Sequence, residues 1–310
     1  MKALLFPGQG SQFVGMGSDL FKQFDYVKKI FSDADDFLKK KISKIILEGP
    51  EEELKLTQNT QPAIMIVSYS YFLVLQKELG VQTKHFKYFA GHSLGEYSAL
   101  VSSGSINFEN ALFLLNERGK AMQNSVPVGK GGMLAVLGSD VSSIENLIKN
   151  TNKDGICEIA NDNSIGQIIV SGDIKSINLF KLTLDKSKIK NLTLPVSAPF
   201  HCSLMRNASE LMEKKINSVN FSELEVPIVA NVTAKEEKSP NSIKSLLVKQ
   251  IFSKVRWRES MEYMSNNGVK TFIEVGPGKV LTGLAKRIVK DKKIININTL
   301  DNLNLLKDEF

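Results

Sequence analysis

Residues 87–104 read "KYFAGHSLGEYSALVSSG": a short apolar run, a turn holding Gly91, Ser93 and Gly95, and a helix-like stretch from Leu94 to about Ser103 with Gly104 past its end. That order demands a strand, a tight turn and a helix, and a strand that feeds a helix asks for a parallel neighbour. The two glycines allow a turn that lifts Ser93 above the sheet. Ser93 then stands at the positive end of a helix, where the Leu94 backbone N–H can face a developing oxyanion. The three-residue pattern alone turns up in roughly one chain in ten of this length, so its weight comes from this context. The competing reading is a tight turn whose glycines serve geometry alone.

The rest of the chain supplies the neighbours. "KALLF" at the start reads as a strand running into the glycine-rich turn "PGQGSQ", and "VPIVANV" (226–232) and "VKTFIEVG" (269–276) read as two more. Helix-like segments separate them, which argues for a mostly parallel sheet. A long helix is expected over residues 61–79, opened by Pro62 in its first turn, closed by Gly80 and apolar all round, hence buried. Between about Pro127 and Val196 the pattern changes to strand, helix, strand, strand, helix, strand with glycine turns, which fits a ferredoxin-like insert. The expected organisation is therefore a large α/β subdomain of residues 1–126 and 197–310 with an inserted α+β subdomain of residues 127–196. The cleft between them is the natural place for a site.

With 310 residues, 42% of them hydrophobic, the chain can bury a large core. Its longest apolar stretch, "PAIMIVSYSYFLVL" (62–75), contains two serines and two tyrosines and falls short of the roughly 18 to 20 residues a membrane span needs. The opening "MKALLFPGQG" is too short for a secretory signal, so a cytoplasmic protein is expected. Cys157 and Cys202 have no CxxC spacing and no histidine cluster nearby, so reduced thiols are expected and neither a disulfide framework nor a zinc site is suggested. The net charge of +7 is spread without a tract of five or more like charges. Nothing there indicates nucleic acid; a diffuse positive surface suits an acidic protein partner or a phosphate-bearing substrate, or is simply a solvated face.

A nucleophilic serine needs a base, and the chain has three histidines. His85 precedes the strand and reads as a surface residue. His92 adjoins Ser93, and a sharp turn should point its side chain away. By elimination His201, in "LPVSAPFHCSLM", is the best candidate. Asp162, Asp173 and Asp185 all lie in the insert, so both a triad and a dyad oriented by a main-chain carbonyl stay open. Arg118 is the most informative charge. A helix capped by Asn107 places Ala111, Leu115, Arg118 and Met122 on one apolar stripe. A guanidinium there either pairs with a buried structural acid such as Glu96 or Glu117, or reaches into a cleft to grip a substrate carboxylate.

Ten segments along the chain carry a further signal: "FPGQGSQ", "TQNTQPA", "GHSLGE", "ERGKAMQ", "GGMLAVLG", "ANDNSIGQIIVSG", "LPVSAPFHCSLM", "ANVTA", "QIFSKVRWRESM" and "EVGPGKVLTGL". In this order they resemble malonyl-CoA:acyl carrier protein transacylases and the related acyltransferase domains of fatty-acid and polyketide synthases. The resemblance covers nearly the whole chain. It implies an α/β-hydrolase-like core with a mostly parallel sheet plus the ferredoxin-like insert. It also implies transfer of malonyl from malonyl-CoA to acyl carrier protein in fatty-acid biosynthesis, with no cofactor or metal, by a monomer. Ser93 would be the acylated nucleophile, His201 the base and Arg118 the partner of the malonyl carboxylate. Gln9 would join the Leu94 N–H as the oxyanion hole, and the Gln250 carbonyl would orient His201. Phe200 looks like the malonyl-selecting version of its loop, and Gln61, Asn161 and Asn163 would contact substrate. Ile165, Cys202 and Asn207 depart from the commonest residues of the family without removing any of these groups.

Overall fold

The computed structural model describes residues 1–151, 154–196, 198–306 and 309. Along the chain run β1 (Lys2–Phe6) and β2 (Tyr88–Gly91), then β3 (Gly131–Leu137), β4 (Cys157–Ser164), β5 (Gln167–Asp173) and β6 (Asn191–Thr193). The last four are β7 (Ile228–Ala230), β8 (Lys235–Glu237), β9 (Thr271–Val275) and β10 (Lys293–Ile297). Two sheets result. One has the order β10-β9-β1-β2-β7-β8, parallel throughout except for the β7–β8 pair. The other, β4-β5-β3-β6, is antiparallel throughout.

The centre of the parallel sheet follows from its sequence. "ALLF" has no polar position because both faces are covered, as parallel strands require. Leu4 and Phe6 pack into the main cluster with Ile64, Val67 and Phe72 of the helix Thr57–Leu79, whereas Ala3 and Leu5 pack with Trp257, Met261 and Leu281 on the opposite face. Phe6 pairs with Gly91, so β1 and β2 end together and open the same sheet edge to the turn that carries Ser93. Open α/β sheets bind ligands at that carboxyl edge.

Three details differ from expectation. The long helix begins at Thr57, putting Pro62 in its second turn. Pro62 withholds one backbone hydrogen bond there, and side chains of the first turn tie it to the preceding segment: Thr60 Oγ1 donates to the Leu54 carbonyl and Asn59 Nδ2 to that of Glu53. The third expected parallel strand is only Ile228–Ala230, because Asn231 leaves the ladder. Two edge strands, β8 and β10, add to the four expected. β8 is "KEE", three charged residues on an edge that charge protects from further pairing.

In the antiparallel sheet the element order is the expected one, with the helices Val141–Thr151 and Ile174–Lys186. Leu134, Val136, Ile159, Val170, Ile177 and Phe180 pack between those helices and the sheet. The other face contributes Met133, Ala135, Ala160 and Ile169 to the main cluster, so this sheet is also buried on both sides. It is tied to the rest by a parallel bridge between Asn161 and Val255 and by Arg258, whose Nη2 lies 2.8 Å from Asp162 Oδ2. Ser197, expected to open the returning segment, lies outside the described residues. Among the described residues no helix is long and apolar enough to cross a membrane.

Candidate active site

The turn after β2 is tighter than its glycines alone suggest. A Cβ on Gly91 would lie 1.9 Å from the carbonyl carbon of Gly95, and one on Gly95 would lie 2.3 Å from the Phe6 carbonyl oxygen. Neither glycine takes the left-handed conformation. Ser93 does, at φ 53°, which is rare for a residue with a Cβ and aims its Oγ out of the turn. The turn is held from β7: Asn231 Oδ1 accepts from the Ser93 N–H at 2.8 Å and Asn231 Nδ2 donates to the Gly91 carbonyl at 2.7 Å.

His201 meets this serine from 108 residues away, with its Nε2 at 2.8 Å from Ser93 Oγ. It too has a positive φ, 58°. Its Nδ1 lies 2.8 Å from the Gln250 carbonyl oxygen, which can only accept. The Nδ1–H tautomer follows, and it leaves the Nε2 lone pair facing the serine hydroxyl. Asp162, Asp173 and Asp185 are engaged elsewhere: Asp162 with Arg258, Asp173 at the start of a helix and Asp185 with Asn191. The imidazole is buried and its pKa falls to about 3, first through burial and then through the positive charge of Arg118, with the Gln250 carbonyl opposing. His92 turns away, its Nε2 donating to Asn163 Oδ1 at 2.8 Å and its ring edge-on to Trp257. His85 is exposed.

Arg118 sits on the helix Phe108–Asn124, which Asn107 caps through the Asn110 N–H. It shares the buried stripe with Ala111, Leu115 and Met122 and is 1% exposed. Nη1 donates to Gln61 Oε1 at 2.8 Å; Nη2 donates to Gln250 Oε1 at 2.9 Å and to Ser93 Oγ at 3.2 Å. No carboxylate forms an ion pair with it among the described residues. Glu117 faces outward to Lys120 and Lys215. Glu96 is fully buried, but its Oε2 accepts from the Gln250 amide at 2.7 Å and the Asn231 N–H at 3.2 Å. Burial lifts the Glu96 pKa to about 7 against those two donors and the charge of Arg118. The guanidinium is therefore held by neutral oxygens, without a carboxylate in ion-pair contact among the described residues, beside a serine already hydrogen-bonded to an imidazole.

The remaining sequence candidates divide. Leu94 is buried at the mouth of the helix Gly95–Ser102, and its N–H has no acceptor among the described residues. Gln9 is half-buried in the turn leaving β1, next to Gly8, which abuts the His92 carbonyl. Phe200 is buried directly before His201. Asn161 is buried in β4 at the Val255 bridge, and Asn163 is engaged with His92. The structure brings in two residues that the sequence reading gave no place beside Ser93: Asn231 and, through Gln250, Glu96. Both are polar and fully buried, and only the pairing of β2 with β7 brings Asn231 here. Cys157 and Cys202 are free and buried, and burial pushes their thiols up to about 12 and about 11.

A serine with a neutral imidazole, a free N–H behind it and an unpaired guanidinium in front suits acyl transfer of a group that itself carries a negative charge. Comparison with known proteins agrees. The family model described as acyl transferase domain matches residues 3–302. The malonyl CoA-acyl carrier protein transacylase of Bacillus subtilis (strain 168) is 40% identical over 313 residues, covering 99% of this chain and 98% of that protein. The crystal structure of acyl-carrier-protein-S-malonyltransferase from Bartonella henselae superposes with a TM-score of 0.96 at 44% identity, covering 99% of this chain and 98% of that one. A malonyl-transacylase solved in complex with its type II PKS acyl-carrier protein gives a TM-score of 0.96 at 38% identity, over 100% of this chain and 99% of that one.

Proposed function

The chain belongs to the acyl transferase domain family, and we infer from that premise that it transfers malonyl from malonyl-CoA to the phosphopantetheine thiol of acyl carrier protein, through a malonyl-serine, in fatty-acid biosynthesis. One observation carries the choice of acyl group: the Arg118 guanidinium, without a carboxylate partner, within hydrogen-bond reach of Ser93 Oγ. A neutral acyl group has no use for it; the malonyl carboxylate supplies the missing anion in bidentate geometry.

The residues divide the work as follows. Ser93 Oγ attacks the thioester carbonyl while His201 Nε2 takes its proton, with Nδ1 held on the Gln250 carbonyl. The oxyanion of the tetrahedral intermediate is assigned to the Leu94 N–H and Gln9. Collapse breaks the carbon–sulfur bond, and the coenzyme A thiolate leaves with the proton from His201. In the second half the carrier thiol gives its proton to His201, attacks the malonyl ester, and Ser93 Oγ regains the proton as it leaves. Arg118, supported by Gln61, grips the malonyl carboxylate throughout, and Phe200, Asn161 and Asn163 are read as the walls of the acyl and thiol channel.

The same reading treats residues 1–126 and 197–310 as an α/β-hydrolase-like subdomain and residues 127–196 as a ferredoxin-like insert, which the β4-β5-β3-β6 order with two helices on one face supports. Malonyl-CoA is a substrate and phosphopantetheine belongs to the carrier, so the chain's own groups suffice. Among the described residues no cluster of three or more metal-ligating side chains occurs. The working form is taken to be a cytoplasmic monomer with acyl carrier protein as its macromolecular partner and no role for nucleic acid.

Intact-mass spectrometry after brief exposure to malonyl-CoA tests this. A malonyl adduct on Ser93 that discharges onto carrier protein is expected; free malonate released without a lasting adduct would make the protein a hydrolase.

A further inference from the structure

The malonyl-transfer reading leaves unused a buried carboxyl close to the site. Glu96 lies behind the nucleophile turn, fully buried, and among the described residues makes no hydrogen bond or ion pair with Ser93 Oγ, His201 or the Arg118 guanidinium. Its Oε2 instead accepts the strongest bond of the Gln250 side chain, 2.7 Å from Gln250 Nε2. That amide nitrogen also donates to the Ser93 carbonyl at 3.0 Å and lies 3.3 Å from Asn231 Oδ1.

A primary amide has two faces that are nearly equal in shape and opposite in polarity. With nitrogen toward Glu96, the Gln250 oxygen faces Arg118 and accepts from Nη2 at 2.9 Å. Turned over, its NH2 would face the guanidinium, donor against donor, and its oxygen would face the Glu96 carboxyl. Arg118 and the Ser93 carbonyl favour this orientation as well, and of the acceptors on Gln250 Nε2 Glu96 makes the shortest bond. The same Gln250 supplies the carbonyl that holds His201, so the acceptor behind it governs a residue touching both working groups.

We propose that Glu96 is a positioning residue that sets acyl selectivity: by accepting from Gln250 Nε2 it keeps the Gln250 oxygen on Arg118 and so fixes the guanidinium where a malonyl carboxylate can pair with it. The inference rests on the malonyl-transfer reading. A carboxyl oxygen accepts from Gln250 Nε2, and where Glu96 is ionised it only accepts and its bond is about twice as strong as a neutral one. Its second bond, from the Asn231 N–H, ties the same oxygen to the residue that holds the Ser93 N–H.

The readout is the ratio of kcat/KM for malonyl-CoA to that for acetyl-CoA, with carrier protein as acceptor. Acetyl transfer uses Ser93 and His201 but not the guanidinium, so a general loosening of the fold lowers both rates and leaves the ratio alone. Glu96→Leu removes the acceptor and is expected to lower the ratio roughly 10- to 100-fold, the span of a hydrogen bond to a charged group. Glu96→Gln keeps an acceptor oxygen and should restore most of it. Gln250→Leu cuts the same link from the other side and serves where Glu96→Leu does not fold. The double variant should lose no more than the worse single one, because both changes remove one link. An unchanged ratio in Glu96→Leu, or in Gln250→Leu where the former does not fold, overturns the proposal, as would additive losses. Wild-type protein labelled by malonyl-CoA at Ser93 beside such a result would leave the transferase reading standing and remove only this inference, whereas unlabelled wild type would remove the transferase reading itself.

Discussion

Arg118 donates through Nη2 to the hydroxyl of Ser93 at 3.2 Å. The cation proposed to select the acyl group thus stands beside the nucleophile candidate, and its other hydrogen-bond partners, Gln61 and Gln250, are neutral. Replacing Arg118 by Met should lower kcat/KM for malonyl-CoA by roughly 30- to 1,000-fold, about 2–4 kcal/mol, because the carboxylate would enter a buried site without its counter-charge. Acetyl transfer should change far less. Parallel kinetics with the two acyl-CoAs check this, and equal losses would assign Arg118 a structural role.

The pH profile follows from His201. Its pKa drops from 6.5 to about 3 on folding, so between those values the unfolded chain holds a proton that the folded one lacks. Stability from this group is complete above about pH 6.5 and declines as pH falls toward 3. Glu96 acts with the opposite sign: raised from 4.5 to about 7, it favours the fold fully below 4.5 and loses that contribution as pH rises through 7. For catalysis, His201 stays an unprotonated base well below the ordinary imidazole range. The acid limb of kcat/KM for malonyl-CoA should therefore lie below pH 6, and Arg118→Met should move it upward, since the Arg118 charge is the second cause of the shift. A wild-type limb near 6.5 that ignores Arg118 would contradict the arrangement.

Asn231→Leu should damage both the fold and the turn. It strands the Ser93 N–H and the Gly91 carbonyl in a buried place, and each unpaired group costs about 1–3 kcal/mol. A loss of about 2–4 kcal/mol in urea unfolding is expected, with transfer falling as Ser93 is freed. Full stability in this variant would show that another donor replaces the amide.

Gly95→Ala places a methyl 2.3 Å from the main-chain oxygen of Phe6, where the first turn of a helix meets the carboxyl end of the inner strand β1 and neither backbone yields. Insoluble protein, or a loss above about 4 kcal/mol, is expected. Gly283→Ala is the matched control. It lies in the helix Val280–Ile288 with nothing within 4 Å of the added carbon, so it should gain up to about 1 kcal/mol of helix propensity. Thermal denaturation of both variants separates them.

The sequence was most legible where signal is local. The apolar runs at β1, β2, β7 and β9 announce the inner strands, and the stripe from Ala111 to Met122 announces a buried arginine, because periodicity and burial are properties of a few adjacent residues. β8 was hidden by its three charges, since an edge strand needs no apolar face, and the start of the long helix by Pro62. At the site, Ser93 stands out through its glycines, whereas a carbonyl such as that of Gln250 has no side-chain signature and entered only through family resemblance. Asn231 and Glu96 were harder still. Their meaning depends on β7 lying against β2, a contact across 138 residues, and nothing near either residue encodes it.

Both members of the Ser93–His201 pair occupy left-handed backbone, a conformation that costs a side-chain-bearing residue about 1–2 kcal/mol. The fold thus carries strain at the two residues proposed to react. Glycine at 93 would relax one of them, so drift that relieves strain at this turn tends toward a sturdier molecule with no hydroxyl to acylate. Selection for thermal robustness and selection for turnover oppose one another at this position, and a library sorted on folding alone should enrich inactive chains there.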